Sequence, residues 1–346
     1  MFNVIKNKIN EELEKYISYV DKKYNLHRIS PLLLHSIKEF VLRDGKRLRP
    51  ALFVIGYKGF SAKTPKNLFR SALSMELLHD FFLIHDDIVD KSNMRRGKPT
   101  MHIALDEKIK KAKKAKLTGQ DLAIITGDIL YSLAMESFLS IKTSPARKEK
   151  ALIKFIEAAC YTGCGEYIEM LLGSADIKNV TKNKIYEIYD YKTAHYTFIA
   201  PLTAGAILAN ASKREVKQLS ELGINLGRAF QIKDDILGIF GNESSTGKSS
   251  LTDLEEDKKT LLTWHAYNNA SEKQQSIIRK ITTKGKLTRE DLNEAQRIIK
   301  NTGSLEYAEK EIQKFVHRSL DILKASKMKL KYKNGLLSYI KKILNL

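Results

Sequence analysis

The stretch Phe81-Phe82-Leu83-Ile84-His85-Asp86-Asp87-Ile88-Val89-Asp90 constrains this chain more than any other. Its three carboxylates close an apolar run, Leu73 to Val89, that otherwise reads as a buried helix. Carboxylates are almost never fully buried unless something cationic pairs with them. At helical spacing Asp86 and Asp90 share one face, with Asp87 about 100° round from Asp86. A solvated helix end would explain one such cluster. A second pair, Asp234-Asp235, stands inside another apolar run, Ala229 to Phe240. Two acidic patches on two apolar helices can face one another and hold hard divalent cations. Mg²⁺ suits a set of oxygen ligands completed by substrate phosphate. The pattern predicts an enzyme built around a metal–diphosphate site.

The rest of the chain agrees with helices. Among 346 residues there are only 6 Pro and 18 Gly, and Leu, Ile, Ala, Lys and Glu dominate long stretches. Strand-like alternation, repeats and Gly/Ser linkers are missing from the sequence, so one all-α domain over 1–346 is expected. No uninterrupted apolar run reaches the roughly 18 residues of a membrane span. Met1 to Lys15 is charged and amphipathic, unlike a cleavable signal. Together these predict a cytoplasmic protein without a transmembrane segment. Cys160 and Cys164 lack the CxxC spacing of a zinc or redox pair and read as core residues. The net charge is +20, yet the lysines are spread without interleaved aromatics. Anionic small substrates explain this more simply than nucleic acid. Lys108 to Lys116 reads as a solvated segment.

Taken in order, helices are expected near 2–27, 31–43, 66–91, 121–139, 147–173, 181–199 and 213–240, with several more across 260–346. Between the second and third stands Gly45-Lys46-Arg47-Leu48-Arg49-Pro50, a plausible anion cradle of glycine and three cations. Arg95-Arg96-Gly97-Lys98-Pro99-Thr100 follows the first acidic cluster and offers two guanidinium groups to a diphosphate. Gly165-Glu166-Tyr167-Ile168-Glu169 places two acids in apolar company. Lys192 in Tyr191-Lys192-Thr193-Ala194-His195-Tyr196 lies in core-like sequence and calls for a charged partner, carboxylate or phosphate. Gly241 to Asp257 is the clearest loop, and Lys248, Lys258 and Lys259 are placed to close over an anion.

Six motifs in one order, GKRLRP (45–50), DDIVD (86–90), RRGKPT (95–100), YKTAHY (191–196), FQIKDD (230–235) and TGK (246–248), resemble the trans-isoprenyl diphosphate synthases, the farnesyl and geranylgeranyl diphosphate synthase family. The resemblance runs from Gly45 to about Gly303. It implies an all-α helical barrel around a deep central cavity, a homodimer, and about three Mg²⁺ per active site. It implies isopentenyl diphosphate and an allylic diphosphate (dimethylallyl, geranyl or farnesyl) as substrates. Asp86, Asp90 and Asp234 match metal ligands, with Asp87 and Asp235 completing the metal motifs. Arg95, Lys192, Lys248 and Lys258 match groups holding the allylic diphosphate. Lys46, Arg49, His79 and Arg96 match those holding isopentenyl diphosphate. Thr193, Tyr196 and Gln231, with Lys192, match polar groups around the reacting carbons.

Four positions depart from the family pattern. Gly238 stands where a third Asp is frequent, Gly165-Glu166-x-x-Glu169 replaces Gly-Gln-x-x-Asp, and Asp257 replaces a Gly. The aromatic pair Phe81 and Phe82, five and four residues before Asp86, resembles the chain-length block of farnesyl (C15) enzymes and favours C15 over geranylgeranyl (C20). A terpene cyclase lacks the second Asp pair and the GKRLRP site. A non-catalytic partner subunit loses motif residues that are present here.

Overall fold

The computed structural model of the protein describes residues 1–95, 97–110, 116–241, 258–282 and 287–344. The chain divides into two compact units. The first comprises Met1–Phe155, Pro201–Ser212 and Lys329–Gly335, and the second Ile156–Ala200, Lys213–Met328 and Leu336–Leu346.

The first unit opens with α1 (Phe2–Tyr24), α2 (Leu26–Ile29) and α3 (Pro31–Val41). Asn25, in the left-handed region, separates α1 from α2. Ser30 caps α3 by accepting from the Leu33 N–H, with Pro31 in the first turn, where its missing N–H is no loss. Next come α4 (Leu48–Phe60) and α5 (Leu68–Val89). Helix α5 packs against α1, α4 and α7 (Gly119–Leu139), so Ala72, Leu73, Leu77 and Ile84 are fully buried. Each such leucine or isoleucine contributes roughly 1.5–3 kcal/mol relative to exposure. Neighbours on several sides explain why this run shows no polar face. Helix α7 begins at a reciprocal Thr118–Asp121 capping box. By length and composition alone it could cross a membrane, but it packs on α5 and on α6 (Met101–Ile109) with Leu130, Ala134 and Phe138 fully buried.

Between α5 and α6 the chain makes a two-stranded antiparallel ribbon, β1 (Met94–Arg95) and β2 (Lys98–Pro99). Sequence reading assigned no strand there. Gly97, at φ 72°, supplies the left-handed turn that joins two such short strands without a steric penalty.

Helix α8 (Pro145–Gly173) contributes its residues from 156 onward to the second unit. There, α9 (Lys182–Ile188) runs into a π-helix, Tyr189–Ile199, a form that is rare beyond a single turn. Helix α10 (Ala200–Leu208) follows, largely in the first unit. Then α11 (Lys213–Phe240) packs on the π-helix and on α15 (Ser304–Ala325). Arg228 clamps Asp190 through Nε and Nη2 at 2.8 and 2.7 Å, pinning α11 to the π-helix. The remaining elements are α12 (Leu261–Asn269), α13 (Glu272–Thr282), α14 (Arg289–Asn301), α15 (Ser304–Ala325) and α16 (Leu330–Leu344).

One expectation changes: Cys160 and Cys164 are exposed on α8 rather than in the core. Of the Lys-rich stretch, Lys108, at the end of α6, and Lys110 and Lys116 are exposed, as a solvated segment requires. Residues 111–115, 242–257 and 283–286 lie outside the described residues.

Candidate active site

Each unit carries one set of the predicted residues. In the first, α5 presents Asp86 and Asp90 one turn apart, both partly exposed. Asp87 between them is fully buried. Its Oδ1 accepts from Arg95 Nε at 2.7 Å and lies 2.6 Å from Nη2. Burial works against the Arg95 charge, but the Asp87 hydrogen bond and charge, with Asp86 and Asp90 behind them, raise its pKa above the ordinary value. Asp87 therefore holds β1 of the ribbon against α5, and the partly exposed carboxylates are Asp86 and Asp90.

The expected cradle at 45–50 is reorganised. Arg47 adopts φ 49° and turns its side chain inward. Nη1 meets Glu76 at 2.8 Å, Nε donates to Asn10, and Nη2 donates to the Val41 and Arg43 carbonyls. Both members of the Arg47–Glu76 pair are about 5% exposed, so this cation is committed to the fold. Lys46 is exposed and Arg49 half-buried. His79 lies buried on α5, two turns before Asp86. Arg96 lies outside the described residues.

Sequence reasoning missed Arg43 and Asp80. With Phe40, Arg47, Leu83 and Arg95 they line a small cavity beside α5. Arg43 donates to Glu39 and to the Pro99 carbonyl, tying α3 to β2. The available signal was a carboxylate, Asp80, inside the same apolar run as Asp86.

In the second unit a hydrogen-bonded chain links four side chains. Thr193 Oγ1 donates to Gln231 Oε1 at 2.6 Å, and Gln231 Nε2 donates to Asp235 Oδ1 at 3.0 Å. Tyr189 donates to the other Asp235 oxygen and accepts from the Leu261 N–H at 2.9 Å. Burial pushes the Asp235 carboxyl up to about 7, with Asp234 and Glu169 adding to the rise against the Tyr189 and Gln231 hydrogen bonds. Asp234, its neighbour, is exposed. Tyr189 carried no sequence signal beyond its place before the Lys192 motif.

Lys192 has the charged partner its sequence setting called for. Its Nζ lies 2.6 Å from Glu166 Oε2 and also bonds Glu169. Gly165 makes this approach possible, since a Cβ there would stand 2.6 Å from the Lys192 backbone nitrogen. Tyr196 is half-buried on the π-helix. Lys258 is half-buried, and Lys259 donates to the Gly173 carbonyl at 3.1 Å. Lys248 lies outside the described residues.

Among the described residues, no three His, Cys, Asp or Glu side chains converge as a ready-made metal shell. Asp86 and Asp90 offer two outward carboxylates on one helix face. That fits Mg²⁺, which keeps several waters and takes one or two carboxylates together with substrate phosphates.

The polyprenyl synthetase family profile matches residues 30–299. The short chain isoprenyl diphosphate synthase of Methanocaldococcus jannaschii is 31% identical over 307 residues, 88% of this chain and 84% of that protein. The geranylgeranyl diphosphate synthase of Sulfolobus acidocaldarius is 31% identical over 324 residues, 93% of this chain and 90% of that one. The crystal structure of geranylgeranyl pyrophosphate synthase from Corynebacterium glutamicum, complexed with isoprenyl diphosphate and magnesium, superposes with a TM-score of 0.91 at 26% identity, covering 99% of both chains. The helical fold, the order of the motifs and these relatives lead to one conclusion: the chain belongs to the polyprenyl synthetase family, among the short-chain isoprenyl diphosphate synthases.

Proposed function

We propose that the protein condenses isopentenyl diphosphate head-to-tail with an allylic diphosphate, in a Mg²⁺-dependent reaction that stops at the C15 product. The observation that carries this reading is the division of labour on α5. Asp86 and Asp90 are partly exposed on one face, while Asp87 is buried and locked by Arg95.

In this reading Asp86 and Asp90 hold Mg²⁺, Asp234 holds a further ion, and Asp87 and Asp235 position the neighbouring ligands. Mg²⁺ supplies charge neutralisation for the departing diphosphate. Arg95, Lys192, Lys248 and Lys258 bind that diphosphate, and fixed cations of this kind stabilise the charge that develops as the C–O bond breaks. Lys46, Arg49, His79 and Arg96 hold isopentenyl diphosphate so that its double bond attacks the allylic cation. Orientation makes the encounter effectively intramolecular. A new C–C bond forms, and the proton lost from the former isopentenyl unit goes to the released diphosphate. The hydroxyls of Thr193 and Tyr196 and the Gln231 amide provide dipoles to the cation.

The C15 limit rests on Phe81 and Phe82, whose rings lie 5.0 Å apart within the two turns before Asp86. A C20 product is the second reading, favoured by the geranylgeranyl synthases among the relatives. Homodimerisation is supported by Tyr167, Met170 and Leu171, large apolar side chains exposed on α8, and size-exclusion chromatography with light scattering tests it.

The test of function is a product assay with Mg²⁺ and labelled isopentenyl diphosphate, each allylic starter being offered in turn. A C15 alcohol after dephosphorylation is expected. C20 keeps the reaction and transfers the chain-length role to another wall. No elongation from any starter overturns the reading in favour of a non-catalytic partner subunit.

A further inference from the structure

The basic segment at the start of α16 is docked at the far end of α4 from Arg49. The Lys329 N–H donates to the Gly59 carbonyl at 2.9 Å. Arg49 lies in the first turn of α4 and Lys58 in the last, about 13 Å apart at helical rise. On the α1 side, the Met1 side chain packs so closely on Gly335 that a Cβ there would meet it. These contacts gather the start of α1, the end of α4 and the start of α16 into one face of the first unit.

That face concentrates like charge. Burial, and then the ammonium groups of Lys329 and Lys8, lower the Lys58 pKa, so lysines from two other segments bear on the one at the end of α4. Lys8, Lys329 and Lys331 are exposed. Among them stand two aliphatic side chains turned to solvent, Leu330 at 70% and Val4 at 60% exposure. Nothing in diphosphate chemistry at the motifs uses these residues.

We propose that this face docks on an anionic lipid surface, with Lys8, Lys58, Lys329 and Lys331 meeting headgroup charge and Leu330 and Val4 entering the headgroup–acyl boundary. Lysines around protruding aliphatics are the composition of an interfacial anchor. An anionic leaflet also relieves the repulsion that the fold itself sets up. The exposed apolar side chains of this face, Leu330 and Val4, are aliphatic and give a base no ring to stack on, which favours lipid over nucleic acid. The proposal stands apart from the reaction, although an amphiphilic prenyl diphosphate would leave the enzyme at such a surface.

The test is sedimentation of the full chain with phosphatidylcholine vesicles, with and without phosphatidylglycerol, over a series of salt concentrations. The protein is expected to pellet with the anionic vesicles only and to be released by salt. Each lysine near the surface contributes about fivefold in partitioning. The variant carrying Lys8→Gln, Lys329→Gln and Lys331→Gln should thus bind on the order of 100-fold more weakly, with circular dichroism and turnover of soluble substrates unchanged. The single variant Leu330→Asp should weaken binding at every salt concentration, and it decides the matter if the triple variant misfolds. Equal binding to both vesicle types, undiminished binding of the Leu330→Asp variant, or tighter retention on duplex DNA than on anionic vesicles at the same salt would each overturn the proposal.

Discussion

Lys192 is held by two carboxylates at once, Glu166 at 2.6 Å and Glu169 one turn further along α8. One ammonium neutralises one carboxylate, so the trio carries a net negative charge where the proposed function needs a cation for diphosphate. All three side chains are 17–20% exposed, where a unit charge a few ångströms away still contributes noticeably. Glu166→Gln keeps an acceptor and removes the surplus charge. The expected result is a dissociation constant for an unreactive allylic diphosphate analogue lowered roughly threefold to tenfold, read by equilibrium titration. An unchanged or raised constant would show that Glu166 does not compete for Lys192.

Adjacent aspartates on α5 should respond in opposite ways. Asp87 is fully buried against Arg95, and removing one partner of a buried pair costs about 3–5 kcal/mol. Asp87→Ala should therefore shift the urea midpoint strongly. Asp86 is partly exposed, and Asp86→Ala should leave stability within about 0.5 kcal/mol. It should instead lower turnover by about a hundredfold or more, as loss of a group stabilising transition-state charge does. Turnover near wild type in the Asp86 variant would remove the metal assignment.

These neighbours also mark how far the sequence could be read. Periodicity placed Asp86 and Asp90 together because a helix fixes which residues share a face. It found Lys192 in need of a carboxylate or phosphate because a lysine in core-like sequence demands one. It placed α11 at 213–240, where the helix lies. It failed where the deciding fact was tertiary. A basic loop does not announce that Arg47 will take a left-handed backbone and turn inward to Glu76. An apolar stretch of α8 does not say which side faces out, and Cys160 and Cys164 proved exposed. Asp80 looked like one more residue of an apolar run until Arg43, Arg47 and Arg95 were seen around the same cavity.

Stability should depend on pH through His265. Its Nδ1 lies 2.8 Å from the Ser304 hydroxyl, and its ring stacks on Tyr307 at 4.0 Å. Burial, and then the Lys182 ammonium, lower its pKa below the ordinary 6.5. As pH falls through 6.5 the unfolded chain takes up a proton that the folded ring still refuses. The unfolded state then binds more protons, so stability falls with falling pH and levels off below the folded pKa. Thermal melts from about pH 5 to about pH 7.5 should show this slope in the wild type and a shallower one in His265→Gln. Equal slopes would assign the dependence to other groups.

The chain-length wall is open to the most direct test. Phe82 is buried one turn before Asp86, and half-buried Phe81 packs on His85 at 4.5 Å and on Tyr131 at 5.3 Å. Replacing both phenylalanines by Ala opens volume along α5, and the product should lengthen by at least one five-carbon unit, read by chromatography after dephosphorylation. Gly127 offers a second handle on the same wall. A Cβ there would stand 2.3 Å from His85 Cε1, so Gly127→Ala must displace the imidazole that packs on Phe81. Overpacking of this kind costs about 1–3 kcal/mol. If Phe81 bounds the cavity, the same variant should shorten the product distribution while the double phenylalanine variant lengthens it. A product of unchanged length in both would place the wall on another element, and the C15 reading would lose its support.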